Sequence, residues 1–321
     1  MSNAECLSIE SVTAHFPEDP PPRWPSPVLA LGNFDGLHRG HAKIIDRVRR
    51  RAGERGGTPA AMTFDPHPPR VVRPDKAPAL LMTTEQRLEA LGRAGMQGVA
   101  VVRFTQEMSR WDPEMFVRTV LVEWLHVVEV WVGANFLFGH DRAGTFSVLR
   151  TLGARYGFRA EKIDAVRYKD FVVSSTRIRR LIAEGRVDEA GALLGHHYFI
   201  DGSVVHGAAR GREIGFPTAN LETRNELLPP AGVYATTASV KGIAYPSVTN
   251  IGTRPTFGEG DRLHVETHLL DASRDLYDAT VRLSFVQRLR DERAFPDVDA
   301  LRAQIDADCR AAKRLFGRIS L

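Results

Sequence analysis

The sequence predicts two folded regions of different class: a parallel α/β domain, then an antiparallel barrel or sandwich closed by one helix. Three observations lead there. The 321 residues are about twice the length of a single domain. Buried-type apolar runs alternate with amphipathic helical patterns as far as residue 194, which is the signature of a parallel sheet. Beyond that point short strands follow one another with turn residues between them, as in antiparallel folds.

Residues 17–27 (PEDPPPRWPSP) read as an extended, polyproline-like leader, so residues 1–27 are set apart and the fold is expected to start after them. Val28–Leu31 is the first strand, followed by a helix over His41–Ala52, a strand at Ala60–Phe64, a helix at Thr84–Arg93 and a strand at Val99–Phe104. Asp112-Pro113 is an N-cap followed by proline in the first helical position, opening a helix to about Leu125, and Val127–Val132 is the next strand. Helices at Thr176–Glu184 and Val187–Leu194 end the first domain, 28–194. The second, 195–321, has strands at Tyr198–His206, Val233–Val240, Tyr245–Ile251, Leu263–Leu270 and Thr280–Val286, and a helix over Asp297–Phe316.

Composition narrows the function. Hydrophobic residues at 43% and charged residues at 26% fit a globular chain. No 18-residue apolar run suggests a membrane span, and the acidic start lacks the features of a secretory signal or transit peptide, so the cytoplasm is expected. Cys6 and Cys309 form no CxxC pair, which leaves disulfide scaffolds and thiolate zinc sites unsupported. The net charge of +4 lies in the first half and is carried by dispersed arginines, too little for a nucleic-acid partner.

Four segments of the first domain carry chemistry. Gly32–His41 (GNFDGLHRGH) follows a strand and opens a helix; its glycines permit close backbone approach, and the helix N-terminus offers free N–H groups to an anion. His38 and His41 share one side of the first turn, where two imidazoles can bond a phosphate as charge develops. No P-loop motif is present. FDPHP (64–68) and GANFLFG (133–139) sit at strand ends and are expected to line the same crevice. SSTRIR (174–179) begins a helix: its hydroxyls are good caps, whereas Arg177 and Arg179 oppose the macrodipole unless a polyphosphate lies between them.

In the second domain, 207–221 (GAARGREIGFPTANL) reads as a flexible, phosphate-approaching flap with Gly207, Gly211 and Gly215. Thr218 and Asn220 are uncharged oxygen donors suited to magnesium shared with phosphates, though PTAN alone also reads as a proline turn entering a strand. His264 and His268 are four apart, which on a helix would suggest zinc. Leu263, Val265, Thr267 and Leu269 alternate as in a strand, however, placing His264, Glu266 and His268 on the opposite, more polar face. A carboxylate there can take a proton from an alcohol; an exposed barrel glutamate is the plainer alternative.

The set GNFDGLHRGH, FDPHP, GANFLFG and SSTRIR, over about 28–193, resembles the FMN adenylyltransferase half of the prokaryotic bifunctional riboflavin kinase/FAD synthetases. GAARGREIGFPTANL, SVTNIGTRPTFG, VETHLLD and LRDERAF, over about 196–316, resemble the riboflavin kinase module. The resemblance implies a nucleotidyltransferase-like parallel sheet followed by a riboflavin kinase barrel with its C-terminal helix. It implies ATP-phosphate contacts for His38, His41, Ser175, Thr176 and Arg179, with Gly32, Phe34, Asp35 and Asn135 in the same nucleotide site. For the kinase it implies Gly207, Gly211 and Gly215 around the phosphates, Mg-ATP organised by Thr218 and Asn220, and Glu266 as the base. The implied ligands are ATP, riboflavin, FMN and FAD, with Mg2+ the metal and no nucleic acid or membrane. A pantetheine-phosphate adenylyltransferase with an unrelated barrel would lack the PTAN and VETHLLD pair. A non-catalytic flavin sensor or regulator would be expected to have lost a histidine, Asn220 or Glu266. Two departures stand out: Asp278, where DLYG is usual, and GHHYF at 195–199, where Arg-Pro is common.

Overall fold

The computed structural model describes residues 11–205, 215–253, 263–271 and 279–318. Gly207, Gly211, Asp278 and most of TRPTFG lie outside the described residues. By contacts the chain divides into a unit ending at Ser174 and a unit starting at Ser175.

The first unit is a six-stranded parallel sheet in the order β1-β4-β3-β2-β5-β6. Its strands are β1 (Val12–Phe16), β2 (Val28–Leu31), β3 (Pro59–Asp65), β4 (Gly98–Arg103), β5 (Glu129–Gly133) and β6 (Arg159–Ile163). The helices are α1 (Arg39–Arg55), α2 (Pro68–Val72), α3 (Thr84–Arg93), α4 (Pro113–Phe116), which runs on as a π-helical stretch Val117–Trp124, and α5 (Phe146–Tyr156). Successive strand residues serve opposite faces: Leu29 and Leu31 pack with Phe116, Val120 and Leu149, whereas Val28 and Ala30 pack with Ile44, Ile45 and Leu91. A hairpin of β7 (Arg167–Tyr168) and β8 (Phe171–Val172) follows β6.

The fold begins at Val12, not at Val28 as the proline-rich stretch suggests. β1 pairs in parallel with β4, and the Trp24 ring seats on Gly98, where a Cβ would stand 2.6 Å from it. Phe16 meets the Trp124 ring edge-on at 5.2 Å, and the Trp124 indole N–H donates to the Asp19 carbonyl at 3.0 Å. The prolines shape the connection while its aromatic residues dock on the sheet.

The second unit opens with α6 (Ser175–Ala183) and α7 (Val187–Leu194). A closed barrel follows, ordered β10-β13-β12-β11-β14-β9, so the choice between barrel and sandwich falls to the barrel. Its strands are β9 (Tyr198–Val205), β10 (Ala219–Thr223), β11 (Gly232–Val240), β12 (Ile243–Thr253), β13 (Leu263–Leu269) and β14 (Thr280–Asp291). The last helix, α8 (Val298–Phe316), is capped by Asp297 and lays Cys309 and Ala312 on Val233, Ala235 and Val248. The Arg290 guanidinium donates to the Asp308 carboxylate at 2.9–3.1 Å and fastens α8 to β14. β11 is thus buried on both faces for most of its length. Inside the barrel the hydroxyls of Thr236, Ser247, Thr249 and Thr267 form a buried chain with contacts of 2.7–2.9 Å, so that these buried polar groups satisfy one another. No helix among the described residues is long and apolar enough to cross a membrane.

Candidate active sites

The sheet of the first unit reverses direction between β2 and β5: the chain adds β3 and β4 on one side of β2, then crosses to β5 on the other. Ligands of open parallel sheets gather beyond the carboxyl ends of the strands at such a point. The segment Gly32–His41 follows β2 and GANFLFG follows β5, and a Cβ on Gly133 would touch Ile44 in α1 at 3.8 Å. The two loops are therefore neighbours. Asn135 lies exposed in the turn after β5.

His38 is the N-cap of α1, with its Nδ1 accepting from the Gly40 and His41 backbone N–H groups at 3.2 and 3.3 Å. A capping Nδ1 must be bare, so the ring's proton sits on Nε2, which is thereby a donor. Gly40 makes this possible, since a Cβ there would lie 3.0 Å from the His38 ring. The His41 ring stacks on His38 with centroids 3.7 Å apart, and its Nδ1 is buried without a hydrogen-bond partner. Burial, with the neighbouring His38 second, holds the His41 pKa well below the ordinary histidine value. Two neutral imidazoles at a helix N-terminus can thus donate to an anion without charge of their own.

Phe34 and Asp35 serve this turn from inside. Phe34 has a left-handed backbone (φ 51) and a fully buried ring 5.1 Å from that of His41. The buried Asp35 carboxylate accepts from the Leu81 and Met82 N–H groups at 3.0–3.2 Å. Gly32 donates to the Met62 carbonyl at 3.2 Å. The side chains of Phe34 and Asp35 are thus committed within the fold.

Sequence reasoning missed Arg87. Its guanidinium is buried and donates to the Asn33 and Phe64 carbonyls at 3.2 Å each, tying GNFDG to FDPHP. Burial lowers its pKa, against the pull of Asp35, Asp65 and Glu85. A capping box of Thr83 and Gln86 starts α3 just ahead of it and aims the side chain inward. The TTEQ capping pattern was the available signal. The inward turn of the cation was not visible.

In the second unit, Ser175 and Thr176 stand at the start of α6, with Ser175 and Arg179 partly buried and Thr176 exposed. In the barrel, β13 buries Val265, Thr267 and Leu269 inside and turns His264, Glu266 and His268 outward. Glu266 pairs with Asn220 of β10 on one side and Asn250 of β12 on the other. These three polar residues form one row on the outer face, with Thr218 immediately before β10. Gly215 takes a left-handed turn (φ 85) ahead of Phe216. Asn250 was missed in the sequence because cross-strand register leaves no trace in spacing. Among the described residues no group of three His, Cys, Asp or Glu is placed to hold a metal ion.

Comparison with known proteins agrees in both halves. The family described as FAD synthetase matches residues 21–177, and the riboflavin kinase family matches residues 194–316. A bifunctional riboflavin kinase/FMN adenylyltransferase of Pseudomonas fluorescens is 39% identical over 288 residues, covering 90% of this chain and 92% of the relative. The Bacillus subtilis (strain 168) protein of the same description is 37% identical over 297 residues, covering 91% and 93%. A crystal structure described as a macrolide-efflux protein from Streptococcus pneumoniae superposes with a TM-score of 0.85 at 28% identity, covering 94% of this chain and 99% of that one. With two family matches in the order of its two units and curated relatives aligned along nine-tenths of its length, the chain belongs to the bifunctional riboflavin kinase/FMN adenylyltransferases.

Proposed function

We propose that the chain phosphorylates riboflavin to FMN with its barrel and adenylylates FMN to FAD, releasing pyrophosphate, with its α/β domain, drawing on ATP for both. The observation that carries this reading is the presence in one chain of a histidine-capped helix at a sheet's reversal point and a barrel carboxylate in register with Asn220. In the kinase, Glu266 accepts the proton of the ribityl 5′-hydroxyl as that oxygen attacks the γ-phosphorus. Thr218 and Asn220 hold the nucleotide with Mg2+, which when bound neutralises phosphate charge; Gly207, Gly211 and Gly215 let backbone approach the phosphates.

In the adenylyltransferase the FMN phosphate is itself the nucleophile toward the α-phosphorus, so no protein nucleophile is needed. His38 and His41 donate to the phosphate oxygens, and Ser175, Thr176 and Arg179 bind the departing β and γ phosphates. Gly32, Phe34 and Asp35 shape the turn, and Asn135 contributes from the neighbouring loop. The functional boundary is placed at 194/195, which assigns α6 and α7 to the adenylyltransferase although by contacts they group with the second unit. A cytoplasmic location without a nucleic-acid or membrane partner is part of the same proposal. Incubation with riboflavin and Mg-ATP, with the flavins resolved chromatographically, should give FMN first and FAD later. Unconsumed riboflavin would reject the kinase, and supplied FMN left unconverted would reject the adenylyltransferase.

A further inference from the structure

We propose that His268 is a positioning residue of the kinase site, fixing the segment Phe216–Thr218 so that the nucleotide-binding oxygens are held beside the base. The inference rests on the kinase reading given above. His268 lies two residues from Glu266 on the outer face of β13, a strand paired on both edges. The segment ahead of β10 has no such support: Phe216, Pro217 and Thr218 belong to no helix or strand. The His268 ring bridges the two. Its Nδ1 lies 2.8 Å from the Pro217 carbonyl oxygen, and because that oxygen can only accept, Nδ1 carries the proton. The same ring meets the Phe216 ring edge-on, with centroids 5.6 Å apart and planes at 79°. Phe216 is in turn packed against the cluster of Val233, Ala235, Val248 and α8.

Register adds the functional consequence. Ala219, the residue after Thr218, pairs with Thr267, the residue before His268, while Asn220 stands opposite Glu266. This stretch of chain, pinned at its carbonyl and its aromatic ring, therefore sets the place of Thr218 beside Asn220 and Glu266, which the strand register already fixes. His264 and His268, whose spacing would suggest zinc on a helix, instead share a strand face on which no group of three His, Cys, Asp or Glu is placed to hold a metal ion among the described residues. A segment already held in its nucleotide-binding shape loses less freedom when Mg-ATP arrives. Removing the pin weakens nucleotide binding and leaves the chemical step intact, because Glu266 is untouched.

The test uses the full chain, with riboflavin saturating and Mg-ATP varied. His268→Leu should raise the KM for Mg-ATP by about fivefold to tenfold, the scale of one lost hydrogen bond, with kcat within about twofold of wild type. His268→Gln, whose amide can donate to the same carbonyl, should recover most of that loss. FMN adenylylation in the same preparations should stay at the wild-type rate. An unchanged KM in His268→Leu overturns the proposal, as does a fall in kcat at constant KM, which would make His268 catalytic. Equal defects in both variants, or loss of kinase activity in both with a lowered unfolding midpoint, would assign the residue to fold stability instead. A wild-type chain that forms no FMN would reject the kinase reading itself, whereas active wild type with an unmoved His268→Leu rejects only this role.

Discussion

The two units build phosphate chemistry from opposite materials. In the α/β unit the candidate groups stand beyond the strands, on a turn and the first residues of α1, and much of what they offer is backbone N–H and imidazole donors. In the barrel they stand on the strands themselves, and cross-strand register sets their relation: Asn220, Glu266 and Asn250 form one row. Under the proposed roles the difference has a chemical reason. An FMN phosphate is already an anionic nucleophile and needs only to be placed against another phosphate. A ribityl hydroxyl must lose a proton, which calls for a carboxylate fixed within hydrogen-bond reach, and a strand paired on both edges is a firmer mount than a loop.

The largest expected effect tests that contrast on the barrel side. Glu266→Ala should lower FMN formation from riboflavin by roughly 10²- to 10⁴-fold, the range for a general base, while supplied FMN is still converted to FAD. Riboflavin phosphorylation at the wild-type rate would remove the base from β13.

Next in size is the division of the chain. The contact boundary at Ser175 lies ahead of the boundary proposed at 194/195, because α7 buries Val187, Ala190, Leu193 and Leu194 within the second unit. A fragment covering 175–321 should therefore be more stable than one covering 195–321 by about 3–6 kcal/mol, the burial of two or three aliphatic side chains. Urea unfolding of both fragments would measure it, and equal midpoints with equal slopes would show that α7 contributes nothing to the barrel.

On the α/β side, His41→Ala should slow FAD formation by about 10²-fold through loss of a preorganised donor, while FMN continues to accumulate from riboflavin. Wild-type FAD synthesis in this variant would detach catalysis from the turn after β2.

The smallest effect is on stability. The folded-state pKa of His41 is lowered by burial and by His38, so unfolding releases a site that binds protons more readily. Its contribution is present above the unfolded value of about 6.5 and is lost as pH falls below it. The melting temperature of the α/β unit should drop by a few degrees between about pH 7 and 5.5, and His41→Asn should flatten that drop. An identical slope in the variant would mean that other groups account for it.

What the sequence made legible was local. The turn after β2 could be read because its glycines and histidines lie within ten residues between a strand and a helix, and the face of Glu266 because alternation along β13 has period two. What stayed hidden depends on distant partners. β1 buries only Ala14 and takes its place from pairing with β4, so it has no pattern of its own. Arg87 looks like the polar face of an amphipathic helix, and its partners Asn33 and Phe64 are 54 and 23 residues away. Thr236, Ser247, Thr249 and Thr267 come from three strands and satisfy one another inside the barrel, a partnership that spacing along one strand does not reveal. α5 and β6 were likewise not read from the sequence, although they complete the sheet.

If two complete sites share one chain, with FMN made at one and consumed at the other, two variants that each lack one site should complement each other. Glu266→Ala alone should leave riboflavin nearly unconverted, and His41→Ala alone should stop largely at FMN. Combined in one vessel with riboflavin and Mg-ATP, the intact barrel of one should supply FMN to the intact α/β domain of the other, and FAD should appear at a rate approaching half that of an equal total of wild type. No FAD from the mixture, or loss of both activities in either variant alone, would contradict the account.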